Sequence, residues 1–400
     1  MKLISLVVVI TTLFSSVGSS ENISTPPNFL AWLAEFKAEA KRRNISDNTL
    51  KRSLQGVKLL PRVIELDRRQ PEFTMTFGDY FTKSVNKNRI EKGRKLLKRH
   101  QILLRKIEKR FGVEPKFLIA FWGLETNFGT FTGSFPVVSA LVTLAHDRRR
   151  SRFFRKQLFA ILELIEQGHF SPNVTGSWAG AMGNHQFMPT TYRDYAIDYD
   201  GDLKRDLWGS NPDIFASAAN YLSKIGWVRK KGWGVEVSLP KEFRYELSGL
   251  GTNKKVAEWS KLGINLPVTN QVFDKNVDAS LLLPSGYSGP AFLVFKNFKK
   301  ILIWNRSIFY ALAVGHLADR LVGGSPLSSK MLAREKKYSR TEIVRIQEIL
   351  SSMGFDSGGA DGVLGVKTRG AIKSFQKHFG LPQDGYLSLE MYEYIKNLKS

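Results

Sequence analysis

From Phe29 to Leu54 apolar residues recur at helical spacing, with Lys and Arg filling the other face, which predicts helix. The same period continues through Arg89 to Phe111, a long basic stretch that Val113-Glu114-Pro115 interrupts. Lys116 to Glu125 is almost wholly apolar, the pattern of a helix buried on every side. Ser151 to Gln167 is amphipathic again. A further helix is expected from Asn211-Pro212-Asp213 to about Ile225, where Gly226 stops it. The period then changes. Glu236 to Leu239, Asn270 to Leu283 and Ala291 to Phe298 alternate or cluster apolar residues between Gly and Pro, which predicts a small sheet. Ser307 to Val322 returns to helix. Gly323 to Ser329 has a linker's composition, and Ser339 to Leu398 reads as a small separate helical unit. No internal repeat is evident. The expected class is mainly α (α+β).

The chain has 400 residues, and 42% of them are apolar, enough to bury a core in two or three units. Lys plus Arg is 60 and Asp plus Glu is 36, so 60 − 36 gives +24, an attraction to anionic polymers or surfaces that says nothing about fold. Cysteine is absent, which excludes disulfides, thiolate metal sites, cysteine nucleophiles and a lipid-bearing cysteine. Lys2, the apolar run Leu3 to Phe14 and the small residues Val17-Gly18-Ser19 predict a secretory signal over residues 1–20. That run is too short for a bilayer, which needs ~20 apolar residues. The protein is therefore expected to be exported, soluble and monomeric.

One acid stands out. Glu125 ends the apolar segment, among Trp122, Leu124 and Phe128. Desolvation there would raise its pKa and keep the acid protonated, as the protonation of a departing sugar oxygen requires. Spacing alone equally allows a capping or salt-bridged glutamate. Asp147 is the next acid in sequence, and no motif marks it as catalytic. The six histidines are scattered, and no zinc helix or phosphate-cradling glycine loop is present.

Glu125-Thr-Asn-Phe-Gly129 resembles the catalytic signature of the lytic murein transglycosylase B family. Gly176-Ser-Trp-Ala-Gly-Ala-Met-Gly183 with Gln186-Phe-Met-Pro-Thr-Thr-Tyr192 resembles that family's second signature. Asp198 to Trp208, Ala219-Asn-Tyr221 and Ile303-Trp-Asn-Arg-Ser307 follow in the family's order. The resemblance implies a lysozyme-like catalytic domain with a small β subdomain. It implies cleavage of peptidoglycan between N-acetylmuramic acid and N-acetylglucosamine, with Glu125 as the single general acid/base and a 1,6-anhydromuramoyl end as product. It also implies that Ser177, Gln186, Asn220, Tyr221, Asn305 and Tyr310 line the sugar cleft. Hydroxyl and amide groups suit that task. Arg149 and Arg150 match a basic pair beside the substrate, or else form part of a solvated charged run from Arg148 to Arg155. Gly180, Met182, Gly183, Phe187 and Pro189 are read as shaping loop and core. Asn184-His185 fills a variable pair, and His185 receives no role. Trp304 stands where relatives often carry Tyr.

Asp198, Asp200, Asp202 and Asp206 begin like a calcium loop, with Asp213 as a distant ligand and the Lys204 carbonyl as another. Leu203 and Gly209 stand where an EF-hand loop needs Gly and Glu, so an Asp-rich turn paired with Lys204 and Arg205 is the other reading. Any calcium would be structural, and no cofactor is required. Residues 339–400 resemble the three-helix peptidoglycan-binding domain, with Ile346, Leu350, Phe375 and Phe379 as core. The expected order is a signal at 1–20, a catalytic domain at 21–323, a linker at 324–338 and a wall-binding domain at 339–400. Peptidoglycan glycan strands are the expected partner. Nucleic acid is not, since no nucleic-acid fold is recognisable. A lysozyme-like hydrolase and an idle wall-binding scaffold are the alternatives.

Overall fold

A computed structural model describes residues 27–68, 75–267, 274–327 and 335–398. The expected signal sequence lies outside these residues, as do residues 328–334 of the expected linker and 270–273 of an expected strand. The architecture is mostly helical with two small antiparallel sheets, the class anticipated. The described residues divide into two compact units, one drawn from 27–68 with 95–224 and the other from 75–94 with 225–398.

The first unit is built on an apolar helix packed against an amphipathic one. Helix Val137–His146 buries eight of its residues and packs on Ser151–Glu166, whose inner face carries Phe154, Leu158, Ile161 and Ile165. Fully burying such side chains is worth roughly 1.5–3 kcal/mol each. The predicted stretch 29–54 is two helices, Pro27–Arg42 and Asp47–Leu54. Between them Asn44 takes a left-handed φ of 63°, and Ser46 caps the second by accepting from the Thr49 N–H at 3.2 Å. The basic stretch likewise breaks at His100 into Lys87–Arg99 and Gln101–Phe111, and Gly112 (φ 73°) closes the second. Pro115 then opens Pro115–Thr126, where its missing N–H costs nothing. Seven of that helix's first nine residues are buried, as its composition demanded.

The second unit holds a four-stranded antiparallel sheet in the order Gly234–Val237, Ala291–Val294, Asp278–Leu282, Lys254–Lys255. Its core gathers Val237, Trp259, Leu281, Leu293 and Phe295, and the Trp259 indole donates to the Ala279 carbonyl at 3.0 Å. The edge strand and helix Val256–Lys261 escape the alternation rule because they are short. Lys296–Trp304 is helix rather than the tail of a strand: its apolar positions bury Phe298 and Ile301 at helical spacing.

The C-terminal segment forms three helices, Arg340–Ser352, Val366–His378 and Leu389–Asn397, around Ile346, Leu350, Ile372, Phe375 and Ile395, with Phe379 against them. It contains a repeat invisible as sequence. Gln347 donates to Asp361 at 2.9 Å and accepts from the Gly362 N–H at 2.8 Å. Gln376 does the same with Asp384 at 2.7 Å and Gly385 at 2.8 Å. Each glutamine clasps an Asp-Gly turn to its own helix. This segment also docks on the rest of the second unit. The Tyr287 N–H donates to Asp384 at 2.8 Å, Lys373 donates to the Ser248 carbonyl at 2.9 Å, and Glu335 accepts from the Gly78 N–H at 2.8 Å. Among the described residues no single helix is long and apolar enough to cross a membrane.

Candidate active site and acid loop

Glu125 sits half-buried on the last turn of Pro115–Thr126. The chain leaves this helix through an unusual exit. The N–H groups of Asn127 and Phe128 both turn back to the Trp122 carbonyl, and Asn127, Phe128 and Gly129 all take positive φ, 50°, 62° and 74°. Phe128, only 6% exposed, packs edge-on against Trp122 with ring centroids 5.8 Å apart. An aromatic pair thus closes the end of the helix that carries Glu125.

The second signature loop is held to the same helix end. Trp122 Nε1 donates to Asn184 Oδ1 at 2.6 Å, and Thr126 Oγ1 donates to the Asn184 carbonyl at 2.8 Å. Asn184, dismissed in the sequence as half of a variable pair, is the junction of the site. A buried amide has no sequence signal; only its neighbours reveal it. His185 is 2% exposed and its Nε2 lies 3.3 Å from the Leu118 carbonyl, within the Glu125 helix. Burial pulls its pKa down to about 4, with the Leu118 contact opposing.

The other candidates of this unit fall as follows. Ser177 Oγ accepts from the Ala181 N–H at 3.0 Å and shapes the turn of the signature loop. Gln186, at φ 50°, donates to the carbonyls of Thr132 and Gly183, both at 3.0 Å. Asn220 donates to the Tyr195 carbonyl at 2.9 Å, and the half-buried Tyr221 rests on Tyr195 and Phe187, with centroids 4.6 and 5.7 Å away. Burial raises the Tyr221 pKa. Met182, Gly183, Phe187 and Pro189 are buried, as their structural reading required. Tyr192 is core: its hydroxyl donates to the Arg205 carbonyl at 2.8 Å, and burial lifts its pKa to about 12.

Arg149 and Arg150 are not a free charged run. Both converge on Asp67, which is 2% exposed. Arg149 Nε donates to its Oδ2 at 2.9 Å, and Arg150 pairs with its other oxygen. Asp67 is a second residue that the sequence did not single out. In the second unit, Asn305 Oδ1 accepts from the Ser307 N–H at 3.0 Å, and Tyr310 is 4% exposed in the first turn of Ile308–Leu321.

The acid loop draws Asp198, Asp200, Asp202 and Asp213 together, with one oxygen of each within 4.8 Å of the others. Asp206 stands outside that group, its carboxylate accepting from the N–H groups of Trp208 at 2.8 Å and Gly209 at 3.0 Å. Asp213 accepts from Tyr199 and Asp206 N–H groups at 2.7 and 2.9 Å. Burial nevertheless raises its pKa.

The chain's similarities agree with this geometry. Residues 28–319 match the transglycosylase SLT domain family and residues 339–394 a peptidoglycan binding domain family. The chain is 31% identical over 243 residues to the membrane-bound lytic murein transglycosylase B of Escherichia coli, a match covering 60% of this chain and 66% of that relative. It resembles SltB3 of Pseudomonas aeruginosa in complex with NAG-anhNAM-pentapeptide, with a TM-score of 0.86 and 39% identity over 92% of this chain and 99% of that one. It also resembles the Escherichia coli lytic transglycosylase Slt35 in complex with calcium, with a TM-score of 0.64 and 27% identity over 75% of this chain and 94% of that one. The chain belongs to the transglycosylase SLT-domain family, among the lytic murein transglycosylases B, and carries a peptidoglycan-binding domain at its C-terminal end.

Proposed function

We propose that this chain cleaves the β-1,4 bond between N-acetylmuramic acid and N-acetylglucosamine without water, leaving a 1,6-anhydromuramoyl end. The observation that carries the reading is Glu125 itself, a half-buried acid on the last turn of a buried apolar helix closed by the Trp122–Phe128 pair, in a chain of this family. The acid form of Glu125 donates its proton to the glycosidic oxygen as the C–O bond breaks. The resulting carboxylate then accepts the proton of the muramoyl 6-hydroxyl, whose oxygen closes onto C1. Protons balance, and the acid is regenerated. The nucleophile belongs to the same sugar, so its effective concentration is large and no second carboxylate is needed. Asp147, the next acid in sequence, is occupied: it accepts from Arg68 at 2.8 Å and from the Arg149 N–H at 3.0 Å. The anhydro sugar named in the SltB3 complex agrees with this product.

The docked C-terminal domain would hold the enzyme on its insoluble substrate and raise the local concentration of cleavable bonds. Residues 1–20 would export the chain to the wall. The four-carboxylate loop suits calcium, a hard cation that prefers oxygen ligands, and Asp198, Asp200, Asp202 and Asp213 would hold it. Its contribution would be to neutralise the loop, with no part in the chemistry.

Digestion of purified murein followed by mass spectrometry tests the reaction. Anhydromuramoyl ends are expected, and Glu125→Gln should bind sacculi without solubilising them. Reducing ends would instead make the enzyme a hydrolase, and solubilisation by Glu125→Gln would remove Glu125 from its role.

A further inference from the structure

We propose that Asn184 is a positioning residue for Glu125, an inference that rests on the acid/base reading of that glutamate. The exit of the Glu125 helix needs something to hold it. Two consecutive non-glycine residues, Asn127 and Phe128, are held in the left-handed region, which L-residues avoid and which persists only where the surroundings over-determine it. Asn184 supplies the surroundings. Its side chain is 4% exposed and fully used: Oδ1 accepts from Trp122 Nε1 at 2.6 Å, while Nδ2 donates to the carbonyls of Leu207 and Trp208, both at 3.0 Å. Its backbone does the same, the N–H donating to the Leu207 carbonyl at 2.8 Å and the carbonyl accepting from Thr126 Oγ1 at 2.8 Å. Thr126 Oγ1 in turn accepts from the Gly129 N–H at 3.0 Å.

These bonds grip Glu125 from both sides. Trp122 lies three residues before it, on the same helix face, and Thr126 lies directly after it. The far anchor, Leu207–Trp208, is the strand of chain leaving the acid loop. Gly129 records how tightly the joint is closed, since a Cβ there would lie 2.4 Å from Asn184 Oδ1. An amide is the side chain that meets all three demands. Aspartate would accept from the indole but face two carbonyl oxygens with no proton to offer. An aliphatic residue would leave the Trp122 indole N–H and the Trp208 carbonyl without these partners, while the Leu207 carbonyl keeps only the backbone N–H. Without the joint, Trp122, Thr126 and Phe128 lose their fixed places, and with them go the position and surroundings of the Glu125 carboxyl.

The test is steady-state kinetics of Asn184→Ala and Asn184→Asp on a soluble murein oligosaccharide across pH. We expect kcat to fall at least tenfold while KM stays within about twofold, and the alkaline limb of kcat to move to lower pH. Trp122→Phe should show the same pattern, and Trp122→Phe combined with Asn184→Ala should lose little more than the worse single variant, because both break one connection. If Asn184→Ala fails to fold, Asn184→Asp and Trp122→Phe carry the same expectation. Folded variants with wild-type kcat and an unmoved pH profile would overturn the proposal, as would fully additive losses in the double variant. Glu125→Gln, run in parallel, separates the two readings: activity retained there refutes the acid/base assignment, whereas its loss with wild-type behaviour at Asn184 refutes only the positioning role.

Discussion

Acid should destabilise the catalytic unit through His185. Its side chain is 2% exposed, and burial holds its pKa at about 4 against an ordinary 6.5. In the folded protein the imidazole stays neutral down to about pH 4, while the unfolded chain takes up a proton as soon as the pH drops below 6.5. The unfolded state therefore binds more protons between these values, so stability falls as pH falls. The loss is confined to that window. The two pKa values differ by 6.5 − 4, or 2.5 units. At about 1.4 kcal/mol per unit, the limiting loss is roughly 3 kcal/mol, a large share of the ~5–15 kcal/mol of a typical domain. Other groups titrate in the same range, so the assay is a difference. Urea unfolding of wild type and His185→Gln should be compared at about pH 7 and about pH 4.5, following far-ultraviolet circular dichroism. The variant costs stability at neutral pH, where a flexible amide must replace a planar ring in a packed site. That cost should shrink, or reverse, by about 2–3 kcal/mol at the lower pH because glutamine takes no proton. A stability difference that is the same at both pH values would refute the reasoning. The lesion matters to function because His185 adjoins Asn184 and lies 3.3 Å from the Leu118 carbonyl of the Glu125 helix.

Other consequences follow from the same geometry. Asp67→Asn should release the Arg149–Arg150 pair and cost on the order of 2 kcal/mol, the scale of hydrogen bonds to a charged group, readable as a lower thermal midpoint. Gly286 has φ 74°, and a Cβ there would come within 2.7 Å of Tyr386 and 2.9 Å of Asp384, so Gly286→Val should loosen the C-terminal domain. Faster limited proteolysis ahead of residue 339, with unchanged kinetics on soluble oligosaccharide, would report it. Millimolar calcium should raise the melting temperature of wild type by a few degrees, and Asp200→Asn with Asp202→Asn should abolish that rise. An equal rise in the double variant would place any ion elsewhere.

The sequence by itself determined the chain's class and its family, and it singled out Glu125 as the candidate acid. Apolar period located the helices, since burying one face is a local demand that every turn repeats. The Glu125 and Gly176–Tyr192 signatures named the family because they are continuous runs of residues. The acid loop was legible for the same reason, although Asp206 turned inward to its own backbone while Asp213 joined the cluster from the next helix. Breaks at Asn44 and His100 were not legible, because a left-handed residue or a missing cap interrupts a helix without disturbing its apolar rhythm. The tertiary structure decided what long-range pairing controls. It showed that Asp67 gathers Arg149 and Arg150 across 82 and 83 residues. It clasped the two Asp-Gly turns of the C-terminal domain to matching glutamines. Above all it made Asn184, 62 residues from Trp122, the joint behind Glu125. A hydrogen bond has no periodicity and a buried amide no composition, so such residues acquire meaning only when the chain has brought their partners within 3 Å.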